Sequence, residues 1–290
     1  MSLAAPASIA PAPGRQLHIV DVLIAERAPR LARSPAWPLL RPLLYAVLDY
    51  GKARRMADAI APMTGSEALA FVSHLLSLRV TATGVQQIPT TGRCVVICNH
   101  PTGIADGVAV YDALKTVRPD ISFYANADAQ RVCARFEDVL IPVEWVEAKR
   151  TRERLRTTLT LTREAMEAGR CLVIFPAGRI SRRQPDGSIR DKDWAASAVS
   201  IARKYDAPVV PVHVAGPWST LFHFFHGVSD ELRDITLFHE LLNKQSQAFS
   251  LTVGADVAPA ALDGDPATVT ARLKTYVERD LPARPDRPFA

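Results

Sequence analysis

Hydrophobic residues in this chain recur with two different periods. Leu43, Leu44, Val47 and Leu48, and then Leu69, Val72, Leu75 and Leu76, follow helical spacing. Thr64 and Glu67 supply a T-x-x-E cap for the second group, and Pro42 suits the first turn of the first. Residues 17–78 therefore read as helical. From residue 79 the pattern changes to short apolar runs. Residues 79–83, 93–98, 121–125, 139–143, 171–175, 208–214 and 249–253 read as strands, with Pro142 marking an edge or a strand end. Helices are predicted between them at about 106–115, 150–168 and 194–205, and from the Asp265–Pro266 cap to about Asp280. Leu155, Leu159, Thr162 and Met166 form the expected inner face of the 150–168 helix, which Gly169 closes. Alternating strands and helices predict an α/β fold with helices on the faces of a sheet. The expected organisation is an Ala/Pro-rich disordered lead-in at 1–16, a helical N-terminal extension at 17–78, an α/β domain at 79–282 and a loose tail at 283–290.

Composition narrows the class. Of 290 residues 48% are hydrophobic and 22% charged, which excludes a wholly disordered or fibrous chain. The net charge of +5 is modest, but 28 of the 35 basic residues are Arg. A guanidinium fork suits phosphate and carboxylate, although a GC-rich genome produces the same bias. Cys94, Cys98, Cys133 and Cys171 are too few for a disulfide scaffold and include no C-x-x-C pair. They suit a reducing cytoplasm. Nothing at the N-terminus resembles a secretory signal. The longest uncharged stretch, 207–229, is interrupted by Pro208, Pro211, Gly216 and Pro217, so any membrane relation is expected to be peripheral.

Two blocks carry candidate chemistry. NHPTGIADG, residues 99–107, leaves a buried strand where open α/β sheets bind ligands. Asp106 can hold one imidazole nitrogen of His100 and leave the other as a base; alternatively His100 caps a helix and Asp106 is a solvated first-turn acid. FPAGRISRR, residues 175–183, makes a tight turn at Pro176 and Gly178 whose amides can face an anion, with Arg179, Arg182 and Arg183 beside it. From Lys149 to Arg190 there are eleven basic and four acidic residues, so the positive charge is concentrated around this block, or else forms a solvated basic helix. WSTLFHFF (218–225) either lines an acyl channel, dips into an interface, or is ordinary core and loop. The helix at 42–60, Leu-rich and then basic, can lie on a membrane surface or pack on the domain. His223, His226 and His239 lack supporting metal ligands, so no metal site is expected. No nucleotide-binding glycine motif and no nucleic-acid module is present.

Taken in order, Asn99-His100 with Asp106, Phe175-Pro176-Ala177-Gly178, and Val209-Val210-Pro211-Val212 resemble the glycerolipid acyltransferase family, also called PlsC-type or lysophosphatidic-acid-acyltransferase-like. The likeness covers about residues 79–215. Five residues rather than four separate His100 from Asp106, Ala177 stands where the family has an acid, and Glu144 lies near the position of its middle-block arginine. With E-L-L-N-K at 240–244, the variant looks like the hemolysin-related branch, which includes acyltransferases of ornithine or similar lipids. The resemblance implies a mixed sheet flanked by helices and direct O-acyl transfer from acyl-ACP or acyl-CoA to a lysolipid hydroxyl. It implies no bound cofactor, no acyl-enzyme and a peripheral site on the cytoplasmic face of the membrane. His100 would be the base and Asp106 its orienting partner. Asn99, Thr102, Gly103, Gly107, Phe175, Pro176, Ala177, Gly178, Arg179 and Arg182 would contact substrate, the two arginines holding an anionic head. A catalytically silent lipid-binding relative and a thioester hydrolase are the alternatives.

Overall fold

The computed structural model describes residues 17–144 and 151–290; the expected lead-in at 1–16 and the start of the 150–168 helix lie outside them. Five helices come first: α1 (Ile19–Arg27), α2 (Pro29–Arg33), α3 (Trp37–Val47), α4 (Tyr50–Ile60) and α5 (Gly65–Leu76). Thr64 caps α5 through the reciprocal box with Glu67. Then follow β1 (Arg79–Thr83), β2 (Cys94–Cys98), α6 (Ile104–Leu114), β3 (Ile121–Asn126), α7 (Asp128–Val132), β4 (Leu140–Val143), α8 (Arg152–Glu167) and β5 (Cys171–Ile174). A hairpin of β6 (Arg182–Arg183) and β7 (Ile189–Arg190) precedes α9 (Ser197–Lys204) and β8 (Val209–Ala215). The chain continues through α10 (Thr220–Val228), α11 (Asp230–Asp234), α12 (Leu237–Leu242), β9 (Ala248–Val253), α13 (Pro266–Thr275) and α14 (Leu281–Ala283).

Among the described residues, seven strands form one mixed sheet in the order β1-β9-β8-β2-β5-β3-β4. All neighbours are parallel except β8 and β9. The period of two along β2 sorts its side chains between two cores. Cys94, Val96 and Cys98 face α1, α4, α5, α6 and α12, whereas Val95 and Ile97 face α9 and α13. Strand β5 divides in the same way, with Cys171 and Val173 on the first side and Leu172 and Ile174 on the second. Every residue of both strands is buried, which is why each reads as an unbroken apolar run. The N-terminal helices share the first of these cores with the sheet.

The crossover from β2 runs through α6 on one face, and the crossover from β5 runs through α9 on the other. The chain therefore diverges between the C-terminal ends of β2 and β5, the place where open α/β sheets leave a crevice. Both candidate blocks begin at those two strand ends.

Several expectations are corrected. Pro42 lies inside α3, and it is Pro38 that occupies its first turn. Of the expected inner face of α8, Thr162 and Met166 are buried, together with Ala165, whereas Leu155 and Leu159 are 59% and 56% exposed. The helix expected from Trp194 starts at Ser197, because the Trp194 indole and the Ala195 amide are held by Asp191 and by the Pro176 carbonyl. The tail expected to be loose folds back: Phe289 stands edge-on to Tyr276 under Arg272, and the Tyr276 hydroxyl donates to the Arg287 carbonyl at 2.6 Å. All four cysteines are free and buried, Cys94 lying opposite Cys171 in the β2–β5 register.

Candidate active site

His100 sits two residues past the end of β2, and the next turn carries the chain into α6. Gly103 makes that turn possible at φ +96°, where a side chain would also strike Ile180 at 2.8 Å. Asp106 stands in the first turn of α6 and is fully buried. Its Oδ2 accepts from the amides of Thr102 (2.9 Å) and Gly103 (3.0 Å), and its Oδ1 from the Thr102 hydroxyl (2.6 Å). The same Oδ2 lies 2.9 Å from Nδ1 of His100. A carboxylate in that position selects the Nδ1–H tautomer and leaves Nε2 with its lone pair. The two readings of Asp106 thus merge: it is a first-turn acid, but a buried one, and in satisfying the helix end it also orients the imidazole. The His100 side chain remains 17% exposed and packs on the Phe175 ring, with centroids 4.5 Å apart.

The remaining block residues divide into braces and open groups. Asn99 donates to the Val214 carbonyl at 2.9 Å and accepts from the Val214 amide at 2.7 Å, so its amide splices the loop onto β8 and is not free for substrate. Thr102 is engaged wholly with Asp106 and buried. Gly107 passes 4.0 Å from the Phe175 ring, measured from the position a Cβ would take. The Pro176 carbonyl accepts from Ala195, Gly178 turns at φ +61°, and Ala177 packs into the second core. The side chains of these residues shape the site without offering it a free polar group.

Arg179 and Arg182 are the open groups. Arg179 is exposed and has no ion-pair partner within 4 Å among the described residues. Arg182 donates to the Ile180 carbonyl at 3.0 Å and lies over the Phe222 ring at 4.7 Å. Burial, with Arg233 and Arg179 nearby, lowers its pKa to about 10. Glu144 is paired with Arg154.

Three groups near the site were not singled out from the sequence as site residues. Asp191 is buried and accepts from the His100 amide, the Ser181 hydroxyl and the Trp194 indole. Burial pushes its carboxyl above the usual range, against the pull of those hydrogen bonds. Lys244 and Glu240, from the E-L-L-N-K block, form a buried pair at 3.4 Å. Burial lowers the Lys244 ammonium, which also feels the charge of Asp106. His223 lies among Arg182, Arg183 and Lys244, and burial with these cations lowers its pKa to about 4. Beside the two loops a cavity of about 430 Å³ is lined by Asn99, Pro101, Ser181, Arg190, His213 and Arg279, among others. Among the described residues no group of His, Cys, Asp and Glu is arranged to hold a metal ion. No helix among them is long and apolar enough to cross a membrane.

A base held by a buried carboxylate at a sheet crevice can deprotonate a hydroxyl. Known proteins agree on the chemical class. Residues 79–215 match the family described as Acyltransferase. The lyso-glycine lipid O-acyltransferase of Phocaeicola vulgatus is 26% identical over 200 residues, covering 67% of this chain and 69% of that protein. The lyso-glycine lipid O-acyltransferase of Bacteroides thetaiotaomicron is 25% identical over 201 residues, covering 67% and 71%. Among solved structures, the crystal structure of the 1-acyl-sn-glycerophosphate (LPA) acyltransferase PlsC from Thermotoga maritima is similar at 15% identity and a TM-score of 0.46, over 93% of this chain and 98% of that one. With its two blocks at the crevice and an imidazole oriented there, the chain is an acyltransferase, similar over residues 79–215 to the family described as Acyltransferase.

Proposed function

We propose that this enzyme moves a fatty acyl group from an acyl-ACP or acyl-CoA thioester to the hydroxyl of a lysolipid. The observation that carries the reading is the His100–Asp106 pair, with Nδ1 bound and Nε2 free. Nε2 takes the proton of the acceptor hydroxyl as its oxygen attacks the thioester carbonyl. The tetrahedral intermediate collapses with cleavage of the carbon–sulfur bond, and the thiolate recovers the proton from the imidazolium. No residue of the protein is acylated, and the thioester is a co-substrate, so no resident cofactor is needed. Arg179 and Arg182 hold an anionic head, taking over where the chain lacks the family's middle-block arginine.

The names of the two relatives favour an amino-acid lysolipid as acceptor. Glycine has no hydroxyl, so in such an acceptor the oxygen to be acylated belongs to the chain already attached, and the carboxylate is left for the arginines. A peripheral place on the cytoplasmic face of the membrane, where acyl thioesters are made, is supported by α3. Its Leu39 and Leu43 are 83% and 65% exposed, with Arg41 exposed between them and Lys52, Arg54 and Arg55 following on α4.

The test is acyl transfer from both donors to a panel of lysolipids that includes an N-(hydroxyacyl)amino acid. The wild type is expected to form the diacylated product, and His100→Ala to lose about 10²–10⁴-fold of the rate. Undiminished transfer by the variant would overturn the base assignment. Release of free fatty acid without need of an acceptor would replace transfer by hydrolysis.

A further inference from the structure

The peptide of His100 is gripped from both ends, at its carbonyl by Ser181 of the second block and at its N–H by Asp191, just past β7. Its N–H points between the two carboxylate oxygens of Asp191, at 3.1 and 3.2 Å. Its carbonyl accepts from the Ser181 amide at 2.8 Å and from the Ser181 hydroxyl at 3.2 Å. The hydroxyl itself lies 2.5 Å from Asp191 Oδ1, which closes a ring of contacts around one residue. Asp191 is in turn fixed. Its Oδ2 accepts from the Trp194 indole at 2.9 Å, and its own amide donates to Glu278, whose other oxygen binds Lys274 at 2.6 Å.

The geometry points to Asp191 as a positioning residue for His100: it fixes the backbone from which the imidazole projects and ties that backbone to the loop bearing Arg179 and Arg182. Asp106 sets the tautomer and the rotation of the ring. Asp191 sets where the ring stands relative to a substrate held by the arginines. The two carboxylates act on different atoms of one residue, the side chain and the main chain. Burial raises the Asp191 carboxyl without removing its value as an acceptor, because three donor groups converge on it: the His100 amide, the Ser181 hydroxyl and the Trp194 indole. A displaced base costs rate rather than binding, since a shift of about 1 Å at a reacting group can lower turnover about 100-fold.

This inference rests on His100 being the base, and the experiment separates the two. Asp191→Asn keeps the volume but turns an NH₂ group toward a donor, either the His100 amide or the indole. Its kcat is expected to fall about 10- to 100-fold while KM for the acceptor stays within about twofold. Trp194→Phe removes a donor from the same carboxylate without touching His100; it is expected to lower Tm yet keep kcat per folded molecule near wild type. Should Asp191→Asn fail to fold, Ser181→Ala serves in its place, with an expected loss in kcat of about three- to tenfold. An unchanged kcat in folded Asp191→Asn (or in Ser181→Ala, where that is used), or a loss equal to that of Trp194→Phe, would overturn the positioning role. If His100→Ala is inactive in the same assay, the base reading survives that result. If His100→Ala is active, it is the base reading that fails.

Discussion

The two loops that leave β2 and β5 lie against each other but distribute their polar groups in opposite ways. The loop at 99–106 turns almost everything inward: Asn99 to β8, Thr102 and Gly103 to Asp106, Asp106 to His100. One nitrogen of one ring is left over. The loop at 175–183 turns its charges the other way. Arg179 is exposed, and Arg182 is half-buried over an aromatic ring with no carboxylate within ion-pair distance among the described residues. Under the proposed mechanism, the difference separates the two halves of the reaction. Proton transfer needs a group fixed beforehand, so its surroundings are fully satisfied. Recognition of an anionic substrate needs cations whose partner has been left out of the fold, since a guanidinium already paired must first break that pair.

The comparison is broken most directly on the satisfied side. Asp106→Asn retains one acceptor oxygen where four donor groups converge and no longer enforces the Nδ1–H tautomer. Activity is expected to fall by about 10³-fold or more, and stability by about 1–3 kcal/mol from unsatisfied buried donors. Kinetics together with urea unfolding check both. A variant with full activity would mean that the inward network is scaffolding alone.

On the open side the effect is smaller and falls on binding. Arg182→Ala is expected to raise KM for an anionic acceptor about 10- to 100-fold, the worth of one charge-assisted hydrogen bond, with kcat less affected. Steady-state kinetics with an anionic and an uncharged acceptor of equal chain length will show it. Equal losses for the two acceptors would remove the recognition role.

The smallest effect sharpens the contrast through pH. His223 shares the neighbourhood of Arg182 and Arg183, and burial with those cations holds its pKa at about 4. Between its ordinary value of 6.5 and about 4 the unfolded chain takes up a proton that the folded chain refuses. Stability contributed at neutral pH is therefore lost as pH falls through that window. His223→Gln is expected to show a smaller drop in urea midpoint between pH 7 and pH 5 than the wild type. An identical drop would place the cations too far away to matter.

Much of this arrangement was legible in the sequence, and the reason differs by element. Strands β2, β5 and β8 are buried on both sides, so their apolar runs carry the fold almost alone. His100 and Asp106 are six positions apart, and the glycine between them announces the turn. Helix α8 misled at its first half, where Leu155 and Leu159 keep the right spacing but stay exposed, while the expected Thr162 and Met166 are buried with Ala165. Asp191 was invisible for another reason. It stands in the run Arg190-Asp191-Lys192-Asp193, which reads as solvated charge, and its partner at His100 is 91 positions away. Contacts of that range are made by topology, and local spacing has no record of them. The same holds for Glu240 and Lys244, whose separation is that of a surface helix pair and whose burial comes from packing against α4 and α6.

The separation between local and distant contacts has a consequence for the order in which the enzyme comes into being. A polypeptide emerging from the ribosome presents His100, Asp106 and the turn joining them early, yet the strands flanking β2 in the finished sheet, β5 and β8, are synthesised later, and Asp191 comes after β5. Until those arrive, the imidazole has a companion but no wall, and no fixed place from which to act. A nascent chain therefore has no organised site, and competence arrives only with the closing of the sheet.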